Sequence, residues 1–424
     1  MKDIFKSHLK KYLSIETINN LVESFSKTRL HGLLRNENKI SHEKLLKYFP
    51  NLTKHPLINN GYIYDPNLIS PGKHWLFDAG CYYLQDLSAM LVASLLPIDQ
   101  DDIVLDMCAA PGGKTIQTSL KLNKSGFILA NDISKKRANV LISNIERMGL
   151  GNVIVTNESA LKICEKYPNT FTKILLDAPC SGSGMFRKDD RMIEDWHLNK
   201  VISAAKLQKE LIVAAYDALA PGGLLLYSTC SFSYEENEEV IFELKKKRDI
   251  ILVNIANDPS FYRDNKLKEA IHLFPHLYEG DGHFICLIKK PGELKTATIP
   301  KKKLCLLKYN EFRLYKFEDQ TGIYGINIPF DTKDLFVLRY GVKLFDKQRK
   351  QTIPHHHLTH FLDATNSISL NEEELNVYLS GNVIKKDNIK DGFHIVSYDG
   401  INLGLIKASR RMLKNHYPKG LRIS

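Results

Sequence analysis

The chain has 424 residues, of which 43% are hydrophobic and 25% are charged, and its formal net charge is +11. This length exceeds one typical hydrophobic core and predicts two or three domains, while the composition is that of an ordinary globular protein. The excess of positive charge favours an anionic partner, and nucleic acid is the first class to consider.

The first 14 residues are basic but lack the apolar centre of a signal peptide, and no run of about 18 apolar residues predicts a membrane span. The seven cysteines are odd in number and include no Cys-x-x-Cys pair, which argues against a disulfide framework or a zinc knuckle. We therefore expect a cytoplasmic monomer with free thiols and no membrane contact.

The N-terminal region mixes helical spacing with short extended pieces. Apolar residues at 9–13 and 18–25 predict amphipathic helices, and a loop rich in Asn, Pro and Gly occupies residues 59–72. We expect an N-terminal α+β segment at residues 1–70, with a boundary near residue 70.

From residue 71 to residue 290, short apolar runs alternate with longer helical windows such as 135–148 and 200–219. This alternation predicts a doubly wound α/β sheet of the Rossmann-like type, whose ligands bind beyond the carboxyl ends of the strands. The strand candidates are residues 103–107, 127–131, 153–156, 174–177, 223–228 and 284–289.

The last part of the chain is a smaller basic region. Residues 291–303, which include Pro291, Gly292 and three consecutive lysines, predict a linker, and residues 304–424 contain strand-like pieces at 393–398 and 403–406. The histidines at 355–357 and 360 do not predict a metal site, since consecutive strand residues point to opposite faces and no carboxylate or cysteine partner has suitable spacing.

A small-residue turn follows the first strand of the α/β region. The sequence Asp-Met-Cys-Ala-Ala-Pro-Gly-Gly-Lys-Thr occupies residues 106–115. A Walker loop would require glycine where Cys108 stands, and the spacing does not match the dinucleotide fingerprint G-x-G-x-x-G. S-adenosylmethionine needs close backbone approach but no phosphate cradle, so the loop favours that cofactor.

Acidic residues end the next two strands. Asp132 follows the second strand, where a carboxylate can accept hydrogen bonds from both ribose hydroxyls. Asp132 could instead cap the helix that starts near Ser134. Glu158 follows the third strand and is suited to contact the adenine edge.

Cys180 and Cys230 follow the fourth and fifth strands. Either cysteine alone would most often be simple packing. Two thiols at equivalent places beside a cofactor loop instead predict chemistry on a ring such as cytosine, since a thiolate that adds to carbon 6 makes carbon 5 nucleophilic. The nearby Asp177 could face the polar edge of that ring, the cofactor, or both.

These motifs, at residues 106–115, 177–182 and 228–231, resemble those of the Nol/Nop/Sun RNA cytosine-5 methyltransferases, and the resemblance covers nearly the whole chain. It implies Cys230 as the nucleophile and Cys180 as the residue that assists product release. An aspartate is common in the family where this chain has Glu158. The resemblance and the loop together assign S-adenosylmethionine to Cys108, Ala109, Ala110, Pro111, Gly112, Gly113, Lys114, Asp132, Arg137, Glu158 and Asp177.

Both ends of the chain extend the resemblance. Residues 34–36 and 85–89 look like the family's N-terminal RNA-binding segment and its junction, and residues 415–422 look like the PUA-like end of bacterial RsmF-type ribosomal RNA methyltransferases. This implies 16S ribosomal RNA as substrate, with transfer RNA or a non-catalytic role in ribosome assembly as alternatives. Phosphate contacts are expected from Lys407, Arg410, Arg411, Lys414, Lys419 and Arg422.

Overall fold

The computed structural model describes residues 3–122, 125–189, 191–294, 300–309, 312–348 and 351–422. Its N-terminal part is a four-stranded antiparallel sheet with flanking helices, in which Ser14 and Ser41 cap the second and third helices. The sheet continues past the boundary expected near residue 70, because its edge strand pairs Leu84 with Leu33. The elements are α1 (Asp3–Leu9), α2 (Ile15–Ser24), β1 (His31–Arg35), α3 (His42–Tyr48), β2 (Thr53–Lys54), β3 (Gly61–Tyr64), a 3-10 turn (Pro71–Lys73), α4 (Trp75–Asp78) and β4 (Tyr82–Gln85).

The central region is the α/β fold that the sequence predicts. Its strands begin and end within a few residues of the expected positions, and the helix expected at 135–148 has those bounds. The elements are α5 (Leu87–Ser94), β5 (Ile103–Asp106), α6 (Gly113–Ser119), β6 (Phe127–Asn131), α7 (Lys135–Met148), β7 (Val153–Thr156), α8 (Ala160–Lys166), β8 (Phe171–Asp177), a 3-10 turn (Ser183–Met185), α9 (Arg191–Asp195), α10 (Leu198–Ala218), β9 (Leu219–Thr229), a 3-10 turn (Tyr234–Glu236), α11 (Glu238–Lys247), β10 (Ile251–Val253), β11 (Tyr262–Asp264), β12 (Leu267–Leu273) and β13 (His283–Lys289).

The central strands run in the order β11-β12-β13-β9-β8-β5-β6-β7, with β10 also paired to β13. The five strands from β9 to β7 are parallel, and side chains alternate between two cores, since Val104 packs on one face and Leu105 on the other. Strands β6 and β8 lie on opposite sides of β5, so the strand order reverses there and the ligand crevice is expected where β5 ends.

The C-terminal part forms two five-stranded sheets. One has the order β14-β15-β16-β18-β19 and the other β20-β22-β23-β24-β21, while the expected linker includes residues 295–299, which lie outside the described ranges. The elements are β14 (Cys305–Tyr309), β15 (Phe312–Glu318), β16 (Gly322–Ile326), β17 (Val337–Tyr340), β18 (Val342–Gln348), β19 (Gln351–Pro354), α12 (His356–Phe361), β20 (Ile368–Ser369), α13 (Glu372–Leu379), β21 (Ile384–Lys385), β22 (Gly392–Tyr398), β23 (Ile401–Ser409), β24 (Met412–Asn415) and a 3-10 turn (Lys419–Leu421).

One strand of this C-terminal part belongs to the central sheet. Strand β17 pairs antiparallel with β7, with Val337 opposite Thr156, and so completes a sheet of ten strands. The region expected to start a separate unit at residue 304 therefore contributes a strand to the α/β fold, and this strand lies beside β7.

The consecutive histidines begin helix α12, so the strand geometry assumed from the sequence is wrong. His355 caps the helix by accepting a hydrogen bond from the His357 amide, and His360 is buried. Across the described ranges, no group of three or more His, Cys, Asp or Glu is arranged to hold a metal ion. In the same ranges no helix has both the length and the apolar character needed to cross a membrane.

Candidate active site

The two cysteines that follow β8 and β9 meet at the carboxyl edge of the central sheet. The parallel pairing places Asp177 opposite Ser228, and from there the two chains bring the sulfur of Cys180 to 3.1 Å from that of Cys230. The hydrogen bond with Cys230, together with burial, holds the pKa of Cys180 well above its usual range. Cys180 is therefore a thiol that can donate its proton to the sulfur of Cys230.

Glu236 holds the two cysteine loops together. Its carboxylate accepts hydrogen bonds from the Ser181 amide at 2.7 Å and from the hydroxyls of Ser181 and Ser231, each at 2.5 Å. A fourth hydrogen bond comes from the side-chain amide of Gln208 at 3.1 Å. Because Ser181 and Ser231 each follow a cysteine directly, this fully buried carboxylate fixes the distance between the two thiols.

A charged cluster lies beside the thiols. Lys114 donates a hydrogen bond to Asp177 at 2.8 Å, and the Ser228 hydroxyl donates one to the other carboxylate oxygen at 2.7 Å. Burial alone would raise the pKa of Asp177, but the charge of Lys114 and these two hydrogen bonds outweigh it and lower that pKa. Asp177 is therefore ionised, and the cavity presents a fixed ion pair to a bound ring.

His283 lies at the start of β13, next to the register pair of Phe284 with Thr229, and lines the same cavity as Cys230. Its Nδ1 lies 2.8 Å from the hydroxyl of Ser88. Burial, with the nearby charge of Lys114, lowers the pKa of His283 to about 4. The imidazole is therefore neutral at physiological pH.

The loop after β5 cradles the remaining part of this cavity, whose volume is about 530 Å³. Gly112 has a φ of 115°, which only glycine adopts readily. A Cβ at Gly113 would lie 2.1 Å from the side-chain oxygen of Gln85, so a larger residue would displace the neighbouring wall. The residues from the expected cofactor loop that line the cavity are Cys108, Ala109, Ala110, Pro111, Gly113 and Lys114.

Asp132 directly follows β6, where the sequence predicts a ribose contact. One of its carboxylate oxygens accepts the amide of Ser134, and the other is buried without a hydrogen-bond partner among the described residues. Ser134, not Asp132, accepts the hydrogen bond that caps α7. Arg137 lies 3.4 Å from the same carboxylate and donates to the carbonyl of Ala110 at 2.6 Å. The Asp132 oxygen that makes no hydrogen bond fits the adenosine part of S-adenosylmethionine, and the close backbone approach at Gly112 and Gly113 fits its methionine part.

Glu158 follows β7, at the position expected for the adenine edge. One of its carboxylate oxygens accepts hydrogen bonds from Lys162 and from the amide of Phe336, each at 2.9 Å. The hydrogen bond from Lys162 is the main reason why the pKa of Glu158 is low. One oxygen of the Glu158 carboxylate is thus already hydrogen-bonded within the protein, and Phe336, from the C-terminal part, lies beside it.

Sequence reasoning did not find Glu236, His283, Ser88 or Phe336. Glu236 reaches Ser181 across 55 positions, and His283 reaches Ser88 across 195. The only local signal is that Glu236 lies five residues after Ser231, in the turn that follows the cysteine motif. Contacts of this separation arise from strand pairing and cannot be identified by motif spacing.

Three models of known protein families together match most of the chain. The family described as 16S rRNA methyltransferase RsmB/F matches residues 93–289, the N-terminal domain of 16S rRNA methyltransferase RsmF matches 1–87, and the methyltransferase RsmF PUA domain matches 365–423. Proteins named ribosomal RNA small subunit methyltransferase F from Shewanella piezotolerans and Psychromonas ingrahamii are each 33% identical, covering 81% of this chain and 79% of theirs. The chain belongs to the RsmF family.

Membership of this family confirms the predicted class of activity: the chain is an S-adenosylmethionine-dependent RNA methyltransferase with a Rossmann-like fold. A methyltransferase homologue from Pyrococcus horikoshii is 30% identical, with a TM-score of 0.60, and covers 68% of this chain and 95% of its own. NSun6 from the same organism, solved with the S-adenosylmethionine analogue SFG, shares the fold at a TM-score of 0.62 and 23% identity, over 69% of this chain and 99% of its own.

Proposed function

We propose that this chain methylates carbon 5 of a cytosine in 16S ribosomal RNA through a covalent adduct with Cys230. The observation that carries the proposal is the 3.1 Å contact between the sulfurs of Cys180 and Cys230. Cys230 lines the same cavity as the cofactor loop. The relatives named for the small ribosomal subunit supply the RNA class. The seven unbridged cysteines are in keeping with work in the reducing cytoplasm.

Cys230 begins the reaction after its proton has left to solvent. Its sulfur adds to carbon 6 of the cytosine, and the electron pair of the 5,6 double bond makes carbon 5 nucleophilic. The buried ammonium of Lys114 interacts electrostatically with Cys230, and its partner Asp177 faces the polar edge of the ring. S-adenosylmethionine, when bound, supplies the methyl group that carbon 5 accepts.

Cys180 completes the reaction by moving a proton. Its thiol donates a proton to the sulfur of Cys230 as the bond to carbon 6 breaks, and the resulting Cys180 thiolate accepts the proton from carbon 5. The 5,6 double bond forms again and both cysteines end as thiols, so that one proton is released to solvent per turnover. The raised pKa of Cys180 supports this role, because the residue begins as a proton donor.

A basic hairpin in the PUA-like end fits an RNA backbone. Lys407 lies opposite Lys414 on β23 and β24, and both are exposed, while Arg410 and Arg411 form the exposed turn between them. Like charges directly opposite each other are unfavourable unless an anion lies between them. Arg422, by contrast, donates to the carbonyl of Tyr417, so it is less available for phosphate.

The hairpin proposal is tested by the salt dependence of RNA binding. Replacing Lys407 and Lys414 by alanine should lower the slope of log affinity against log salt by about 1 to 2, since each phosphate contact contributes about 0.7 to 0.9. The matched control replaces Lys245 and Lys247, on the exposed end of α11. An unchanged slope in the hairpin variant would remove this surface from the RNA interface.

Bisulfite sequencing of 16S ribosomal RNA tests the function itself. A strain without the gene should lose one or more 5-methylcytosines, the wild-type gene should restore them, and the Cys230→Ala gene should not. Loss confined to transfer RNA would favour the transfer RNA alternative. Restoration of methylation by Cys230→Ala would overturn the proposed chemistry, and intact methylation in the deletion strain would favour a non-catalytic assembly factor.

A further inference from the structure

Two large apolar side chains lie exposed at the adenosine side of the site. Ile133 directly follows Asp132 and is 72% exposed, and Phe336 directly precedes β17 and is 52% exposed. Isolated exposed apolar residues are common and need no explanation. These two differ because both stand at the carboxyl edge of the sheet, where ligands bind in this class of fold.

Asn157 holds Ile133 and Phe336 beside each other. Its backbone amide donates to the carbonyl of Phe336 at 2.9 Å, and its side-chain amide donates to the carbonyls of Asp132 at 2.8 Å and Ile133 at 2.9 Å. The amide of Phe336 in turn donates to Glu158. The backbones of Ile133 and Phe336 are therefore held close to Asp132.

The segment that carries Phe336 is firmly anchored to the α/β fold. Phe330 is fully buried against Phe127, and the hydroxyl of Tyr167 donates to the carbonyl of Asp331 at 2.6 Å. The hydroxyl of Tyr340 closes the segment by donating to the carbonyl of Phe330, also at 2.6 Å. Phe336 consequently lies in a short connection that is anchored on both sides, directly before β17.

We propose that Phe336 stacks on the adenine ring of S-adenosylmethionine and, with Ile133, closes the adenine pocket from the C-terminal part of the chain. An aromatic ring and an aliphatic side chain are suited to the two faces or the rim of a purine, and Asp132 receives the adjoining ribose. The pocket is thus completed by a residue outside residues 93–289, which match the methyltransferase family. Cofactor affinity depends on the C-terminal part even when no RNA is present.

Titration calorimetry with S-adenosylhomocysteine tests this contact without relying on activity. Phe336→Ala should raise the Kd by about 5- to 150-fold, because base–aromatic stacking contributes about 1–3 kcal/mol per base. Phe336→Tyr should stay within about twofold of the wild type, and Phe336→Leu should fall between the two. The same ratios are expected with 5′-methylthioadenosine, which keeps the adenosine and lacks the amino-acid part.

Leu306 supplies the matched control. It is an exposed apolar residue of β14, 60% exposed, and Leu306→Ala should leave the Kd for both ligands unchanged. Wild-type affinity in folded Phe336→Ala would overturn the proposal. Loss of RNA affinity with an unchanged Kd for S-adenosylhomocysteine would overturn it too, and would assign Phe336 to an RNA base.

Nuclear magnetic resonance gives a second readout that does not depend on an alanine variant. In the wild-type chain with labelled Phe and Ile, the adenine protons of bound S-adenosylhomocysteine should show contacts to one Phe ring and to the methyl groups of Ile133. The Phe signal should vanish in Phe336→Leu. Adenine contacts to Ile133 with none to Phe336 would overturn the stacking while leaving the methyltransferase activity in place.

Discussion

The two halves of the ligand edge are built in opposite ways. The thiol half, after β8 and β9, is closed by buried hydrogen bonds to Glu236, which lies six residues beyond Cys230. The adenosine half, after β6 and β7, has Ile133 exposed and an oxygen of Asp132 that makes no hydrogen bond to the described residues, and a strand distant in sequence borders it. The thiols are therefore held by buried hydrogen bonds, whereas the adenosine half has fewer internal bonds at its surface.

This difference predicts that the two halves can be damaged separately. The largest effect is expected from Asp177→Asn, which removes the negative partner of Lys114 beside the ring. Methyl transfer to RNA should fall by about 100-fold or more, the scale of a lost polar group acting at the reaction centre. Single-turnover kinetics would measure this, with Asp189→Asn, at a partly exposed pair with Arg191, as control, and a loss of less than threefold would exclude Asp177 from the chemistry.

Asp132→Asn should break the adenosine half alone. The oxygen of Asp132 that makes no hydrogen bond is expected to accept from the ribose, and such bonds to a charged group contribute about 1.5–3 kcal/mol each, or about 10- to 150-fold in Kd. Calorimetry with S-adenosylhomocysteine would detect the loss. The rate at which Cys230 reacts with a thiol reagent should not change, and a large change there would show that the halves are coupled.

Glu236→Gln should loosen the thiol half alone. An amide cannot accept from both serine hydroxyls and the Ser181 amide as the carboxylate does, so kcat should fall by about 10-fold, on the scale of about 1–3 kcal/mol for an unsatisfied buried group. The Kd for S-adenosylhomocysteine should be unchanged. Glu239→Gln, at an exposed pair with Lys209, is the control and should have little effect on either quantity.

The same variant has a predictable effect on the pH dependence of stability. Burial raises the pKa of Glu236 in the folded state, so the unfolded chain ionises first as the pH rises. The wild type should then lose stability relative to Glu236→Gln as the pH passes from the unfolded pKa, about 4.3, to the folded value. Urea unfolding between pH 4 and pH 7 measures this difference, and the opposite slope would contradict the assigned direction.

The sequence predicts the thiol half well because its signals are local. Cys180 and Cys230 each follow a strand that the apolar runs identify, and parallel strand ends must share an edge. The adenosine half was only partly predictable. Asp132 ends a strand, but the approach of Phe336 to Glu158 spans 178 positions and depends on pairing between β7 and β17. For the same reason the boundary expected near residue 70 missed β4, whose place is set by pairing with β1.

In the proposed reaction Cys230 forms the covalent bond and Cys180 releases it. Purified chains carrying Cys180→Ala or Cys230→Ala should be incubated with 16S ribosomal RNA and S-adenosylmethionine, then separated under denaturing conditions. We expect a denaturant-resistant protein–RNA complex with Cys180→Ala and none with Cys230→Ala, since only the first variant can form the bond without breaking it. A complex with Cys230→Ala and none with Cys180→Ala would reverse the two roles.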